Sequence, residues 1–233
     1  MPALAELLQR TDIWRGDALA TAPLPGIPTG FAELDAELPG GGWPRSGLME
    51  ILVDRTGIGE LSLLLPMLAR LSGEELAWLI FVAPPHPLYA PALADGGVAL
   101  SRLLIVGAPG RNATWACERA LETDGVGALV AWLPETRPTE LRRLQLAAEA
   151  SRTLTCVFRP GVAANTASPA PLRLALESNE RHLRVRLLKR RGSPLTRPLD
   201  LAIPRPHLAE PSRHALACPL PAATTARSAG QPA

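Results

Sequence analysis

Lysine is almost missing from this chain: of its 24 basic residues only Lys189 is a lysine, and the first 188 positions contain none. Any mechanism that needs a lysine in that stretch is excluded. Cysteine is scarce as well. Cys117, Cys156 and Cys218 are odd in number and far apart, and no C-x-x-C or His/Cys cluster joins them to the four histidines. Neither a structural zinc nor a disulfide framework is expected, and no cofactor is expected either. Cys117 and Cys156 sit in apolar stretches and read as small core residues. Long apolar runs are also lacking: none approaches the roughly 20 residues of a membrane helix. No membrane contact is expected. The opening MPALAELLQR carries early charges and lacks the apolar centre and cleavage site of a secretory signal, so a cytoplasmic location is expected.

What is present suits one α/β core. The chain has 233 residues, 47% of them apolar, long enough for a single well-buried domain. Its net charge of +2 is too small to imply a nucleic-acid partner by itself. Residues 2–9 suit a short amphipathic helix followed by Ile13 and Trp14, and TAPLPG (21–26) sets it off as an N-terminal arm over 1–25. Thr29 is placed to cap a short helix carrying Phe31, Leu34 and Leu38, which Pro39-Gly40-Gly41-Gly42 ends. Apolar runs then follow at 48–53, 76–83, 103–106, 128–133 and 153–158, alternating with helix-period segments near 60–72, 87–95, 112–123 and 138–152. Near-continuous apolar strands alternating with helices predict a doubly wound, mostly parallel sheet covered on both faces. After residue 170 the pattern alternates in 171–177, 182–191 and 198–203, which predicts antiparallel strands added at one edge. The core domain is thus expected over 26–203. Residues 204–233, rich in Pro, Ala, Thr and Ser, predict a disordered tail.

The first strand ends in VDRTGIGE, where a phosphate-binding loop would sit. Thr56, Gly57, Gly59 and Glu60 occupy that position, but the loop pattern is degenerate. Val53 replaces its first glycine, and Glu60 and Leu61 stand where lysine and Ser/Thr are needed. A carboxylate there would repel a triphosphate, yet it suits a helix N-terminus, where it is typically worth about 0.3–1 kcal/mol. The expected role is structural: a turn and a helix start. The spacing from Gly42 to Gly47 matches the two glycines of such a loop, but a strand follows. Gly57-Ile58-Gly59 lacks the third glycine of a dinucleotide fingerprint. G-x-S-x-G and H-E-x-x-H are absent, and His86 after the second strand has no nucleophile or acid partner. Strand ends that would carry catalytic groups carry Val53, Pro84-Pro85 and Trp132. An enzyme is not expected.

The strongest charge feature is RHLRVRLLKRRGSPLTR (181–197), seven basic residues without an acid. Arg184 and Arg186 would share one strand face, with Lys189, Arg190 and Arg191 crowding the turn after it. Such a patch can hold DNA phosphates or serve as a solvated edge that blocks strand pairing.

The stretch GIPTGFAELDAELPGGGWPRSGLMEIL (26–52), followed by GIGELSLLLPMLARLS, IFVAPPHPLYAPAL and ALVAWLPE, resembles the ImuA family, which is grouped with SulA-like, RecA-fold proteins. Its most specific string, LPGGGWP, has no structural demand evident in the sequence beyond the glycine turn. The resemblance implies a RecA-like fold with an emptied nucleotide site: Glu60 at the place of the phosphate-binding lysine, Pro85 at that of the catalytic glutamate, and Trp132 at that of the magnesium-binding aspartate. It also implies shortened DNA loops, about five residues after Trp132 and a remnant over 159–170. The role implied is that of a non-catalytic accessory protein in SOS-induced error-prone translesion synthesis, in contact with RecA, ImuB and a specialised replicative-type polymerase subunit. Leu7, Leu8 and Trp14 of the arm would then form a partner-docking helix, or pack on their own domain. The alternative is a SulA-like division inhibitor that binds FtsZ.

Overall fold

In the computed structural model, which describes residues 25–178, 182–191 and 197–203, the apolar runs form one eight-stranded sheet. The arm residues Leu7, Leu8 and Trp14 and the tail over 204–233 lie outside the described residues. Strand β1 spans Gly47–Val53, β2 Trp78–Val82, β3 Leu103–Val106, β4 Val126–Trp132, β5 Leu154–Pro160, β6 Leu172–Ser178, β7 Leu183–Lys189 and β8 Leu199–Leu201. Their order across the sheet is β3-β2-β4-β5-β1-β6-β7-β8. The helices are α1 (Ala32–Glu37), α2 (Leu65–Gly73), α3 (Ala90–Asp95), α4 (Arg111–Leu121) and α5 (Pro138–Ser151).

The interior of the parallel sheet is covered on both faces, which is why β1 is buried along its whole length without alternation, while the edge strand β3 leaves Leu104 and Ile105 exposed. Helices α1, α2 and α3 cover one face through Leu34, Met67, Leu68 and Leu93, against Met49, Ile51 and Phe81. Helices α4 and α5 cover the other through Cys117, Leu121, Leu141 and Leu144, against Leu48, Ile80 and Leu129. Strand β7 does alternate. Leu183, Val185 and Leu187 turn to the core while Arg184 and Arg186 face away from it.

Two expectations are corrected. Strand β6 is not part of a purely antiparallel addition: it runs parallel to β1, with Ile51 opposite Leu174, and only β7 and β8 are antiparallel. The connection through the 3-10 turn Gly161–Asn165 supplies the crossover that a parallel neighbour requires. Thr29 does not cap α1, whose N-cap is Phe31. Its hydroxyl instead accepts the Phe31 N–H at 3.0 Å, and its own N–H donates to Asp35 Oδ1 at 2.8 Å.

The string LPGGGWP does answer a structural demand. Ile27 and Trp43, both buried, exchange backbone bonds at 2.8 and 2.7 Å. A Cβ on Gly42 would collide with the Ile27 carbonyl, so only glycine allows this approach.

Candidate functional site

The carboxyl ends of β1, β2 and β4 carry the loops where ligands of open α/β sheets sit. After β1 the chain turns through Gly57 (φ 80°) and Gly59 (φ 101°), conformations that favour glycine. Glu60 folds back into this turn. Its two carboxylate oxygens accept the Gly57 and Ile58 N–H groups at 2.9 Å each, and the residue is only 6% exposed. Successive amides converging on one carboxylate are how a backbone nest takes an anion, and here the anion belongs to the chain. An incoming phosphate would have to evict it. The helix start expected at Glu60 is corrected, because α2 begins at Leu65 with Pro66 in its first turn. Residues between them form hydrogen-bonded turns, such as Leu63 N–H to the Gly59 carbonyl. Thr56 Oγ1 lies 3.4 Å from His86 Nε2, linking this turn to the loop after β2.

Beside the turn, a cavity of about 510 Å³ opens at the ends of β2 and β4, with Ala83, Pro85, Arg111, Ala113, Trp132 and Arg137 in its walls. The two strands are neighbours, but the chain leaves β2 toward α3 on one face and β4 toward α5 on the other. Such a switch in direction creates the crevice. Pro85 and Trp132 therefore share one cavity, and Glu60 is not among its lining residues. Trp132 stacks on Phe158 at 5.1 Å and leans on Phe81 at 5.9 Å, which fixes it as an apolar wall. At the start of α5, Arg137 donates its backbone N–H to Glu140 Oε2 at 2.8 Å and its guanidinium to Oε1 at 2.7 Å. The bond from the Arg137 side chain holds the Glu140 carboxyl below its ordinary range and raises the guanidinium in turn.

The basic edge is assembled in space, with much of its charge compensated. Arg184 pairs with Asp200 at 2.8 Å and Arg186 with Glu177 at 3.6 Å. Lys189 donates to the Ser168 carbonyl at 2.9 Å, Arg190 reaches the Glu37 carboxylate at 3.1 Å, and Arg191 is exposed.

One buried cluster escaped the sequence reading. Glu50, fully buried on β1, accepts Arg159 Nη1 at 2.9 Å and Arg173 Nε at 2.6 Å from the two flanking strands. Arg159 also donates to the Thr136 carbonyl, and Arg173 to those of Ala163 and Thr166. The cluster therefore binds the 3-10 turn and the loop before α5 to the sheet. The available signal was a single acid in LMEILV and single arginines in TLTCVFR and PLRLALE, since a charge in a buried strand requires a partner. Among the described residues, no helix is long and apolar enough to cross a membrane, and no group of three His, Cys, Asp or Glu could hold a metal.

A family model described as cell division inhibitor SulA matches residues 48–155. Protein ImuA of Caulobacter vibrioides is 33% identical over 138 residues, 57% of each chain. The chain therefore spans little more than half the length of that relative. Cell division inhibitor SulA of Edwardsiella piscicida is 30% identical over 118 residues, 50% of this chain and 70% of that protein. The crystal structure of SulA from Pseudomonas aeruginosa is 28% identical, with a TM-score of 0.41 over 48% of this chain and 98% of that one.

Proposed function

The chain belongs to the SulA family, and from that premise we propose that it is a non-catalytic accessory protein of SOS-induced error-prone translesion DNA synthesis. It works through contacts with RecA, ImuB and a specialised replicative-type polymerase subunit. The observation that carries the non-catalytic part is the seat of Glu60: the amides that could hold a phosphate already hold a carboxylate. Pro85 and Trp132 support it, since neither can bind magnesium or activate water at the ends of β2 and β4. We read the sheet as a RecA-like layout, because β1, with its glycine turn, lies between β5 and β6, and the antiparallel strands close one edge. The choice of translesion synthesis rests on the similarity to ImuA. Protein partners are favoured over DNA because Arg184 and Arg186 are already paired with Asp200 and Glu177.

Titration calorimetry of the full chain with MgATP should show no micromolar binding, and a pull-down should retain RecA or ImuB. Micromolar nucleotide binding, or retention of neither protein, refutes the proposal. A second reading, a division inhibitor acting on FtsZ, is favoured by the match to SulA over 70% of that relative's length. Inhibition of FtsZ polymerisation at near-stoichiometric amounts would select it.

A further inference from the structure

We propose that β3 is a dimerisation edge: two copies of this chain pair β3 with β3, antiparallel, about a two-fold axis through Ile105, and their sheets become one.

The two edges of the sheet are built differently. At one, β8 is three residues long and its exposed Asp200 is bound to Arg184. Short, charged edge strands resist further pairing. At the other, β3 is LLIV, four apolar residues in continuous register with β2. Leu104 is 48% exposed and Ile105 54%. The register puts Leu104 beside Ile80 on the α4 and α5 face, and Ile105 beside Phe81 on the opposite face. The edge thus lacks cover on both faces at once. An added strand would cover both, because its own side chains alternate.

The backbone fits an identical strand. The Ala83 N–H donates to the Val106 C=O at 2.9 Å, so Val106 and, by alternation, Leu104 turn their peptide groups to β2. Leu103 and Ile105 turn theirs outward, and the Leu103 N–H is already donated to the Leu100 C=O. A two-fold axis normal to the sheet keeps each side chain on its face, so it passes through a residue and not between two. Centred on Ile105, the two Ile105 residues exchange both of their bonds. Each Leu103 C=O then stands opposite Gly107 of the other copy. Centred on Leu104, the pairing would call on the Leu103 N–H, which is taken. In the Ile105 register Ile105 meets Ile105 on one face, and Leu104 meets Val106 on the other.

The charge pattern favours a second copy as the added strand. Self-pairing sets like charges against each other wherever an edge carries them, and β3 carries none. Its neighbour Arg102 lies over the Trp78 ring at 5.4 Å. Neither end of the described chain is at this edge: Ile27 pairs with Trp43 just before β1, and Ile203 follows β8 at the far side of the sheet. The contact is small, below the roughly 1,200 Å² of stable assemblies, so a weak dimer with a Kd on the order of 100 µM is expected. The antiparallel arrangement sends the loops after β1, β2 and β4 of the two copies to opposite ends of the joined sheet.

Sedimentation equilibrium of the full chain from about 5 to 500 µM should show the average mass rising from one chain towards two. Ile105→Lys and Ile105→Glu should each weaken association at least about tenfold, because like charges then face each other across the axis. An equimolar mixture of the two variants should associate again. Both should fold, since the position is exposed. In the unaltered chain, the Ile105 amide should exchange with deuterium more slowly at 500 µM than at 5 µM, on the order of the dimer fraction. A chain that stays monomeric throughout overturns the proposal, whether its edge is bare or covered by residues 1–24 or 204–233. Association that survives Ile105→Lys, a mixture of folded variants that stays monomeric, or Ile105 exchange that ignores concentration overturns it as well.

Discussion

Glu60→Ala removes the acceptor of two backbone N–H groups in a turn where Glu60 is buried while Gly57 is exposed and Ile58 half-buried. Water can take over donors on this accessible turn, so urea denaturation of Glu60→Ala should show a loss of about 0.5–1.5 kcal/mol, the net worth of a hydrogen bond. Glu60→Gln keeps a carbonyl acceptor and should lose less. Glu50→Ala is the harsher change, because it strands two buried guanidinium groups in the middle of the sheet. Breaking a buried ion pair from one side costs about 3–5 kcal/mol, and this variant should be the less stable of the two. Equal denaturation midpoints for Glu50→Ala and Glu60→Ala would contradict this ranking. These two carboxylates also differ in how visible they were. Glu60 stood out because a motif position made it conspicuous, yet the sequence assigned it to the wrong partner, a helix dipole. Glu50 stood out against its apolar neighbours but could not be paired, since Arg159 and Arg173 are more than a hundred residues away.

At the scale of elements, α5 is the helix best marked by its sequence, with Pro138 at its start and Glu140 bonded back to Arg137. Its observed span, Pro138–Ser151, ends within one residue of the pattern. Helix α2 was less legible. Its apolar period continues upstream through Leu61, Leu63 and Leu64, but those residues are held in turns and Pro66 favours a start beside it. The cap on α5 has a pH signature. The folded-state pKa of Glu140 is lowered, so its stabilisation is present above the ordinary carboxylate value of about 4.3 and is lost as pH falls through the folded value. Wild type should therefore exceed Glu140→Gln in denaturation midpoint at neutral pH, and the gap should close in strong acid. A gap that persists at the lowest pH would show that the carboxylate charge is not responsible. Asp200, lowered by its bond from Arg184, adds loss of the same sign at the β7–β8 edge.

Across the whole molecule, the sheet separates two apolar clusters, with Cys156 in the one beneath α1, α2 and α3 and Cys117 in the one beneath α4 and α5. Both thiols are free and buried. Burial, with some help from Glu118, pushes the Cys117 thiol up to about 12, and burial alone raises Cys156 still further. Neither forms an appreciable thiolate at neutral pH. In a Cys218→Ser background, a thiol reagent should label both only as fast as the protein unfolds, with labelling rates rising together as urea is added. Rapid labelling of Cys117 alone would mean that the α4–α5 face opens independently of the rest.

The sequence by itself determined the class of the fold and the lack of lysine over its first 188 residues. Apolar runs alternating with helix periods admit few arrangements other than a covered parallel sheet, and the missing lysines hold in any conformation. Three things were decided only by the tertiary structure. One is the direction of β6, because parallel or antiparallel pairing depends on the route of the preceding connection and not on the strand's own residues. Another is the pairing of Arg184 and Arg186 on β7 and of Arg190 just after it, whose partners Asp200, Glu177 and Glu37 come from other elements. The last is the occupied turn after β1, since whether Glu60 repels a phosphate from outside or replaces it from within depends on where the backbone amides point.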